Sequence, residues 1–243
     1  MKTKSKKLWN KAQNVIPGGT MLFSKKPDLH LPGQWPNYFS KSKGCNIWDL
    51  DGNKYIDMMF HVGTNTLGYS NRTLDEYIKK IISKGTMTTL MCPEEVYLAE
   101  KLIKMHPWAD MVKFARSGGE ANSIAIRIAR AATSKTNVAI CGYHGWHDWY
   151  LAANLTNSNK LSKHLMTGLE TRGVPAKLAG TVFPFLYNDF NYLHKLIDKK
   201  NIGIVKMEVS RNFNPNNVFL QKVRKLCTKK NIILIFDECT SGF

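Results

Sequence analysis

The second half of the chain alternates between short apolar segments and stretches with helical periodicity. Two segments, 202–207 and 231–236, are almost continuously apolar, as strands covered on both faces of a parallel sheet must be. Residues 218–230 between them have the spacing of an amphipathic helix. The alternation predicts βαβ units and an α/β fold with a mostly parallel sheet flanked by helices. Strands are expected at residues 110–115, 137–141, 180–183, 202–207 and 231–236.

A glycine pair separates the first of these segments from a long helical stretch. Ser117 precedes Gly118 and Gly119, and Glu120 follows, a capping box in which hydroxyl and carboxylate satisfy backbone amides reciprocally. The glycines leave the first turn without side chains, so an anion could approach the N–H groups and the positive end of the helix dipole. The stretch predicts either a phosphate site or only a well-capped helix. The apolar helix face is expected to comprise Ala121, Ile124, Ala125, Ile128, Ala129 and Ala132.

The first part of the chain is organised differently. Residues 5–15 predict a short helix, and an irregular arm rich in proline and glycine follows. Residues 45–58 predict two short strands joined by a turn at 51–53. Asn71 is expected to cap a helix that reaches residue 84, and Pro93 to stand in the first turn of the next helix.

The charge balance bears on the class of partner. The chain has 35 Lys and Arg against 18 Asp and Glu, a formal net charge of +17, which raises nucleic acid as a partner. Many of the basic residues, however, stand singly on polar helix faces or in pairs at helix ends, where cations complement the helix dipole. The pattern favours a solvated, lysine-rich surface and no nucleic-acid partner.

The apolar runs and the cysteines bear on the compartment. None of the runs has the length of a membrane span. The five cysteines are scattered, and their spacing fits neither a disulfide framework nor a zinc ribbon. We expect a cytoplasmic protein with reduced thiols and no membrane partner.

Polar residues follow the ends of the predicted strands. Because ligands of open α/β sheets bind beyond the carboxyl ends of the strands, these residues are expected to meet at one edge of the sheet. They are Ser117, Tyr143 with His144, Glu208, and Asp237 with Glu238.

Each of these positions also has another interpretation. Asp237 and Glu238 could hold magnesium as in a nucleotide-hydrolysing protein, although the matching phosphate loop is missing. His144 and His147 could belong to a metal site, but their spacing fits no standard zinc pattern, and we predict no metal. Tyr143 and His144 could also be core residues with satisfied polar tips.

Taken together, the motifs resemble the class III pyridoxal-phosphate aminotransferases and, within them, glutamate-1-semialdehyde 2,1-aminomutase and its relatives. The resemblance implies the type I fold of PLP-dependent transferases, pyridoxal 5'-phosphate as cofactor, small-molecule amino donors and acceptors, and a homodimer. It spans nearly the whole chain and is carried by Pro17-Gly-Gly19, residues 44–57, Ser117-Gly-Gly-Glu-Ala121, Tyr143-His-Gly145, Glu208 with Asn212, and residues 233–243.

The resemblance also implies a role for each site residue. Asp237 would pair with the pyridine nitrogen and keep it protonated, which makes the cofactor an electron sink. Glu208 would lie near the cofactor hydroxyl and the substrate pocket, and Tyr143 would stack on one ring face. The remaining roles are phosphate binding for Ser117, Gly118 and Gly119, the other ring face for Cys239 in place of the usual valine, a cofactor contact for His144, and substrate binding for Arg211 and Asn212.

The family's Schiff-base lysine has no counterpart among the 243 residues. In the family it lies a few tens of residues beyond the Asp-Glu segment, whereas this sequence ends at Phe243. We therefore expect an N-terminal fragment that is inactive alone. Residues 1–69 would form an arm with a small-domain segment, and residues 70–243 a cofactor-binding large domain that is incomplete at its C-terminus.

Two alternatives remain open. One is the aminomutase proper, in which a single substrate receives its amino group back at the neighbouring carbon. The other is a noncatalytic protein that keeps the polar edge of the sheet and binds a phosphate ligand or nucleic acid.

Overall fold

The computed structural model describes residues 3–61, 63–156, 170–210, 214–216 and 218–242. The chain forms two compact units, residues 1–93 and 94–243. The predicted domain boundary at residue 69 concerns the whole protein and stays a prediction. The first unit contains α1 (Lys4–Val15), β1 (Phe39–Lys43), β2 (Asn46–Asp49), β3 (Lys54–Ile56) and α2 (Arg72–Ile82).

The three strands of the first unit form an antiparallel sheet in the order β1-β2-β3. The predicted hairpin is thereby confirmed. Its turn is held by the Asp49 carboxylate, which accepts bonds from the backbone N–H groups of Asp51 and Asn53, both 2.9 Å, and from the Tyr55 hydroxyl at 3.0 Å. Strand β1 was not predicted, because its alternating serine and lysine residues carry little strand propensity.

Helices α1 and α2 each begin at a capping side chain. The side chain of Thr3 accepts a bond from the Lys6 amide at the start of α1. The Asn71 side chain accepts from the Leu74 amide at 3.2 Å, so the predicted cap of α2 is confirmed. The helix ends at Ile82, close to its predicted end.

The second unit contains a four-stranded parallel sheet in the order β5-β4-β6-β7. The predicted α/β class and parallel sheet are confirmed. The four last predicted strands are confirmed as well, with ends displaced by at most two residues. The elements are α3 (Pro93–Met105, beginning on the last residue of the first unit), α4 (Gly118–Thr133), β4 (Val138–Cys141), α5 (Asp148–Leu151), β5 (Val182–Pro184), α6 (Phe190–Lys200), β6 (Ile204–Glu208), α7 (Phe219–Lys229) and β7 (Ile233–Asp237).

Two apolar clusters cover the two faces of this sheet. Val205 and Met207 of β6 belong to the cluster that includes α6 and α7. Ile204 of β6 and Ile235 of β7 belong to the cluster that includes α4 and α5. Because side chains alternate along a strand, the even-numbered residues of β6 and the odd-numbered residues of β7 face α4.

The predicted strand at residues 110–115 is wrong. The segment has irregular backbone and is largely exposed, with Met111 at 88% exposure. A strand requires a neighbour that receives its N–H and C=O groups, and none of the described strands pairs with this segment. Apolar composition alone does not provide that neighbour.

The predicted apolar face of α4 is only partly correct, since Ala129 belongs to it and is buried, but Ala121, Ile128 and Ala132 are exposed. Ile126 and Ala129 are the buried residues of the helix, whereas Ile128 is 58% exposed. The stretch from 121 to 132 has alanine or isoleucine on several sides, so periodicity alone does not fix which side packs on the sheet.

Within the described part of the chain, no helix has the length and apolar character that a membrane span demands.

Candidate functional site

Strands β6 and β7 end side by side with a carboxylate each. Glu208 is the last residue of β6 and pairs in register with Asp237, the last residue of β7. Both carboxylates, together with Lys206, lie on the sheet face that carries α4, and all three side chains are largely buried. The edge of the sheet therefore concentrates charged groups away from water.

The Asp237 carboxylate has three partners. Its Oδ2 lies 2.9 Å from His144 Nδ1 and 3.3 Å from Lys206 Nζ, and its Oδ1 accepts the Cys239 amide at 3.2 Å. Burial alone would raise the pKa of Asp237, but the hydrogen bond from His144 and the charge of Lys206 outweigh burial and hold the pKa well below its usual range. Asp237 is therefore a fixed negative charge at neutral pH.

His144 is fully buried, and both of its ring nitrogens face oxygen acceptors. Nδ1 faces Asp237, and Nε2 lies 3.2 Å from the Cys141 carbonyl. Burial lowers the pKa of His144, and the opposing effect of Asp237 does not restore it. A neutral ring has only one N–H, and we assign it to Nδ1, because the carboxylate is the stronger acceptor and the nearer one. His144 thus orients Asp237.

Gly142 allows the chain after β4 to pass against Glu208. Its φ of +104° lies in the region that favours glycine, and a Cβ at this position would overlap the Glu208 carboxylate. Glu208 Oε2 accepts the Tyr143 amide at 3.0 Å. Tyr143 is half-buried, and its ring meets Tyr150 edge-on with centroids 6.2 Å apart. The glycine therefore lets Glu208 hold the backbone of the loop.

The N-terminus of α4 is open beside Gly118. The Ser117 hydroxyl accepts the Glu120 amide at 3.2 Å, as the capping pattern predicts. The carboxylate of Glu120 accepts the Arg116 amide at 2.8 Å, so the predicted reciprocal bond to Ser117 is wrong by one residue. A Cβ at Gly118 would meet nothing within 4 Å. The first N–H groups of a helix have no partner within the helix, and they adjoin open space at Gly118, whereas a Cβ at Gly119 would lie 2.8 Å from His147 Nε2.

The start of α4 is bonded to the loop that follows β4. Asn122 Nδ2 donates to the His144 carbonyl at 3.2 Å, and Ser123 Oγ lies 2.6 Å from His147 Nδ1. His144 in turn contacts Asp237 through its ring. The helix N-terminus and the Asp237 carboxylate therefore belong to one hydrogen-bonded cluster.

Lys206 is the functional candidate that the sequence analysis missed. It lies within residues 202–207, which the sequence predicts as an apolar strand. The signal that identifies it is a single charged residue in a strand whose other members are apolar and buried on both faces, because such a charge requires a partner.

The structure describes the positions of some of the other predicted site residues and not of others. Glu238 and Cys239 are exposed at the end of β7. Arg211 and Asn212 lie outside the described residues. Across the described ranges, no three His, Cys, Asp or Glu side chains are grouped in a way that could hold a metal ion.

The fold and the order of these motifs define the class of protein. The chain belongs to the class III aminotransferase family, whose profile matches residues 32–243. The predicted family is thereby confirmed.

Particular relatives carry two different enzyme names. The chain is 31% identical to 3-aminobutyryl-CoA aminotransferase of Cloacimonas acidaminovorans, with 99% of this chain and 56% of that protein aligned. It is 32% identical to glutamate-1-semialdehyde 2,1-aminomutase of Methanobrevibacter smithii, with 98% and 56% aligned. The chain thus spans about half the length of these curated relatives.

Solved structures share the fold. The FumI protein of Sphingopyxis sp. MTA144, solved in its PLP internal aldimine form, superposes with a TM-score of 0.83 at 27% identity over 98% of this chain and 56% of that chain. An omega-transaminase from Sphaerobacter thermophilus gives a TM-score of 0.82 at 25% identity over 97% and 55%. The predicted fold of PLP-dependent transferases is confirmed.

Proposed function

We propose that the protein transfers amino groups with pyridoxal phosphate as its cofactor, and that this chain supplies the phosphate site and the partner of the pyridine nitrogen. One observation carries the proposal. Asp237, kept ionised by His144 and Lys206, belongs to the same hydrogen-bonded cluster as the open N-terminus of α4. A ligand with a phosphate at one end and a basic ring nitrogen at the other matches these two features.

The residues present fit this cofactor chemically. The amides that open α4 and the Ser117 hydroxyl are donors for a phosphate, and the space beside Gly118 is open, whereas the His147 ring lies against Gly119. Asp237 supplies a negative charge for the protonated ring nitrogen, and the half-buried Tyr143 supplies a flat apolar surface. Pyridoxal phosphate supplies an electron sink for the charge that develops at the substrate α-carbon.

Within this proposal the neighbours of the carboxylates have positioning roles. His144 fixes one oxygen of Asp237, so the other oxygen can accept from the ligand. Glu208 holds the loop through the Tyr143 amide and stands at the same edge of the sheet. Arg211 and Asn212 stay candidates for substrate binding, and the homodimer and the cytoplasmic location stay predictions.

We expect the variant Ser117→Asp to bind pyridoxal phosphate at least about tenfold more weakly. Aspartate is as good a helix cap as serine, so the helix is retained while a negative charge faces the phosphate. Like charges at about 4 Å near a protein surface repel by about 4 kcal/mol, and solvent reduces that figure here. Cofactor titration of the protein made from its complete coding sequence, followed by absorbance, measures the change.

Ser117→Asn is the matched control for that experiment. Asparagine also caps a helix but adds no charge, so its affinity should stay within a few-fold of the unsubstituted protein. Equal affinities for the Asp and Asn variants would argue against a phosphate at the start of α4.

We also expect pyridoxal phosphate to protect Cys239 from alkylation. Cys239 is exposed and follows Asp237 by two residues, whereas Cys45 is exposed in the first unit and serves as the internal control. Burial raises the pKa of Cys141 to about 12 and that of Cys227 to about 11, so these thiols should react slowly with or without cofactor. Peptide mapping after a short iodoacetamide pulse gives the rate at each thiol. Unchanged labelling of Cys239 would contradict the proposal.

Two reaction types fit this proposed function: amino transfer between molecules and isomerisation of a single substrate. Relatives named as an aminotransferase and as an aminomutase are almost equally identical to the chain, so we propose both as candidates. Release of a keto product that depends on an added amino acceptor would support transfer between molecules. Isomerisation without an added acceptor would support the mutase.

The Schiff-base lysine is assigned to no residue of this chain. We propose that the whole protein supplies it from sequence beyond these 243 residues, because the relatives are nearly twice as long as the aligned part. A coding sequence without a lysine in that region would contradict this part of the proposal.

A further inference from the structure

Lys206 occupies a position where a charge is costly. It lies within β6, its side chain is only 2% exposed, and its register partners on the two adjacent strands are Ile140 and Ile235. A buried ammonium group persists when an opposite charge compensates its loss of hydration. Asp237 Oδ2, 3.3 Å from Nζ, is that charge.

The groups around Lys206 form a set with two acids. Burial lowers the pKa of Lys206, and the charges of Asp237 and Glu208 oppose that effect. The thiol of Cys141, also near Glu208, has a raised pKa because it is buried, and it is therefore neutral. His144 shares Oδ2 with the lysine, and the ring of Tyr150 packs edge-on against the imidazole.

His144 and Lys206 compete for the same carboxylate oxygen. A proton added to the imidazole would place a second positive charge beside the ammonium group. Burial is the main cause that lowers the pKa of His144, and the charge of Lys206 adds to it. Without the lysine, the negative charges of Asp237 and Glu208 would act on the imidazole with no ammonium group beside it, and a doubly protonated ring would become more favourable.

We propose that Lys206 is a positioning residue that acts through Asp237: it keeps His144 neutral and reduces the proton affinity of the Asp237 carboxylate. The reduced proton affinity would weaken the hold of Asp237 on a proton at the nitrogen of a bound pyridine ring. That last consequence rests on the proposed function, whereas the effect on His144 does not.

The test replaces Lys206 by methionine, which has similar length and no charge, in the protein made from its complete coding sequence. NMR of labelled histidine side chains in the cofactor-free protein measures proton binding by His144. We expect its proton affinity to rise at least about tenfold in Lys206→Met, since one pKa unit is a factor of ten. Lys195→Met removes an exposed lysine from α6 in the same unit and should leave the proton affinity of His144 unchanged. Lys206→Arg keeps the positive charge and should also leave that proton affinity unchanged.

A second readout uses pyridoxal phosphate labelled with ¹⁵N in its ring. The fraction of protonated ring nitrogen should be larger in Lys206→Met than in the unsubstituted protein at the same pH. The protein could fail to bind the cofactor while the proton affinity of His144 still rises in Lys206→Met. The proposed function would then fail, and the role of Lys206 in the His144–Asp237 pair would stand. If the cofactor binds and neither signal changes, the role of Lys206 is refuted.

The unsubstituted protein provides a check that does not depend on folding of the variant. His144 should be neutral at pH 7, with its single proton on Nδ1. An imidazolium signal for His144 at pH 7 would overturn the proposal even where Lys206→Met fails to fold.

Discussion

Replacing Asp237 by asparagine is expected to reduce the rate of amino transfer by about 10²–10³-fold, the range found when one preorganised electrostatic contact is removed from a reacting centre. Asparagine keeps the shape of the side chain but removes the charge that would hold a proton on the ring nitrogen. The measurement is kcat at saturating pyridoxal phosphate in the protein made from its complete coding sequence. A kcat within twofold of the unsubstituted protein would contradict the role of Asp237.

Asp198→Asn is the matched control for this experiment. Asp198 lies on α6, and its exposed carboxylate pairs with Lys230 at 2.9 Å. Exposed ion pairs contribute little to stability because solvent screens them, so this variant should keep both the activity and nearly all of the stability.

The loss of rate must be separated from a loss of folding. Asp237→Asn leaves the Lys206 ammonium group buried without its ion-pair partner, and breaking a buried pair in this way costs about 3–5 kcal/mol. Adding Lys206→Met removes the second charge as well. The double variant should therefore recover stability in denaturant unfolding while its kcat stays low.

Ionisation of the Asp237 carboxylate makes the stability of the protein depend on pH. The pKa of Asp237 is lower in the folded protein than in the unfolded chain. Its contribution to the free energy of unfolding is therefore present above the pKa of an unfolded aspartate, and it is lost as the pH falls through the pKa of Asp237 in the folded protein. At neutral pH this contribution is complete.

The sequence predicted the parts of the fold that local pattern determines. The βαβ alternation, the cap at Asn71 and the hairpin at 45–58 follow from periodicity and turn chemistry within a few residues. The strand predicted at residues 110–115 is absent from the structure because a strand also depends on a neighbouring strand from elsewhere in the chain. The apolar face of α4 was predicted only in part, because the rotation of the helix depends on contacts such as that of Asn122 with the His144 carbonyl, which sequence spacing does not contain.

The candidate site was predictable to the same extent. Strand ends and the glycine pair indicated Asp237 and Ser117, because a parallel sheet brings its carboxyl ends to one edge. Lys206 was missed, since an ion pair between neighbouring strands depends on their register. The two nitrogens of His144 and their different acceptors are likewise tertiary facts.

Replacing Gly142 by alanine is expected to destabilise the protein by about 2–6 kcal/mol. A residue with a side chain at a positive φ costs about 1–3 kcal/mol, and overpacking in a buried site adds about 1–3 kcal/mol. Here the new Cβ would overlap the Glu208 carboxylate. That carboxylate is buried and bonded to the Tyr143 amide, so it has little freedom to move aside. Denaturant unfolding at equilibrium measures the loss.

Gly173→Ala separates the two contributions. Gly173 also has a positive φ, +85°, but a Cβ there would meet nothing within 4 Å, so only the backbone cost applies. Gly142→Ala should therefore lose more stability than Gly173→Ala, and shortening Glu208 to alanine in the Gly142→Ala background should return part of the difference. Equal losses for the two glycine variants would mean that Glu208 moves away from the loop, in which case it does not hold the Tyr143 backbone in place for a ligand.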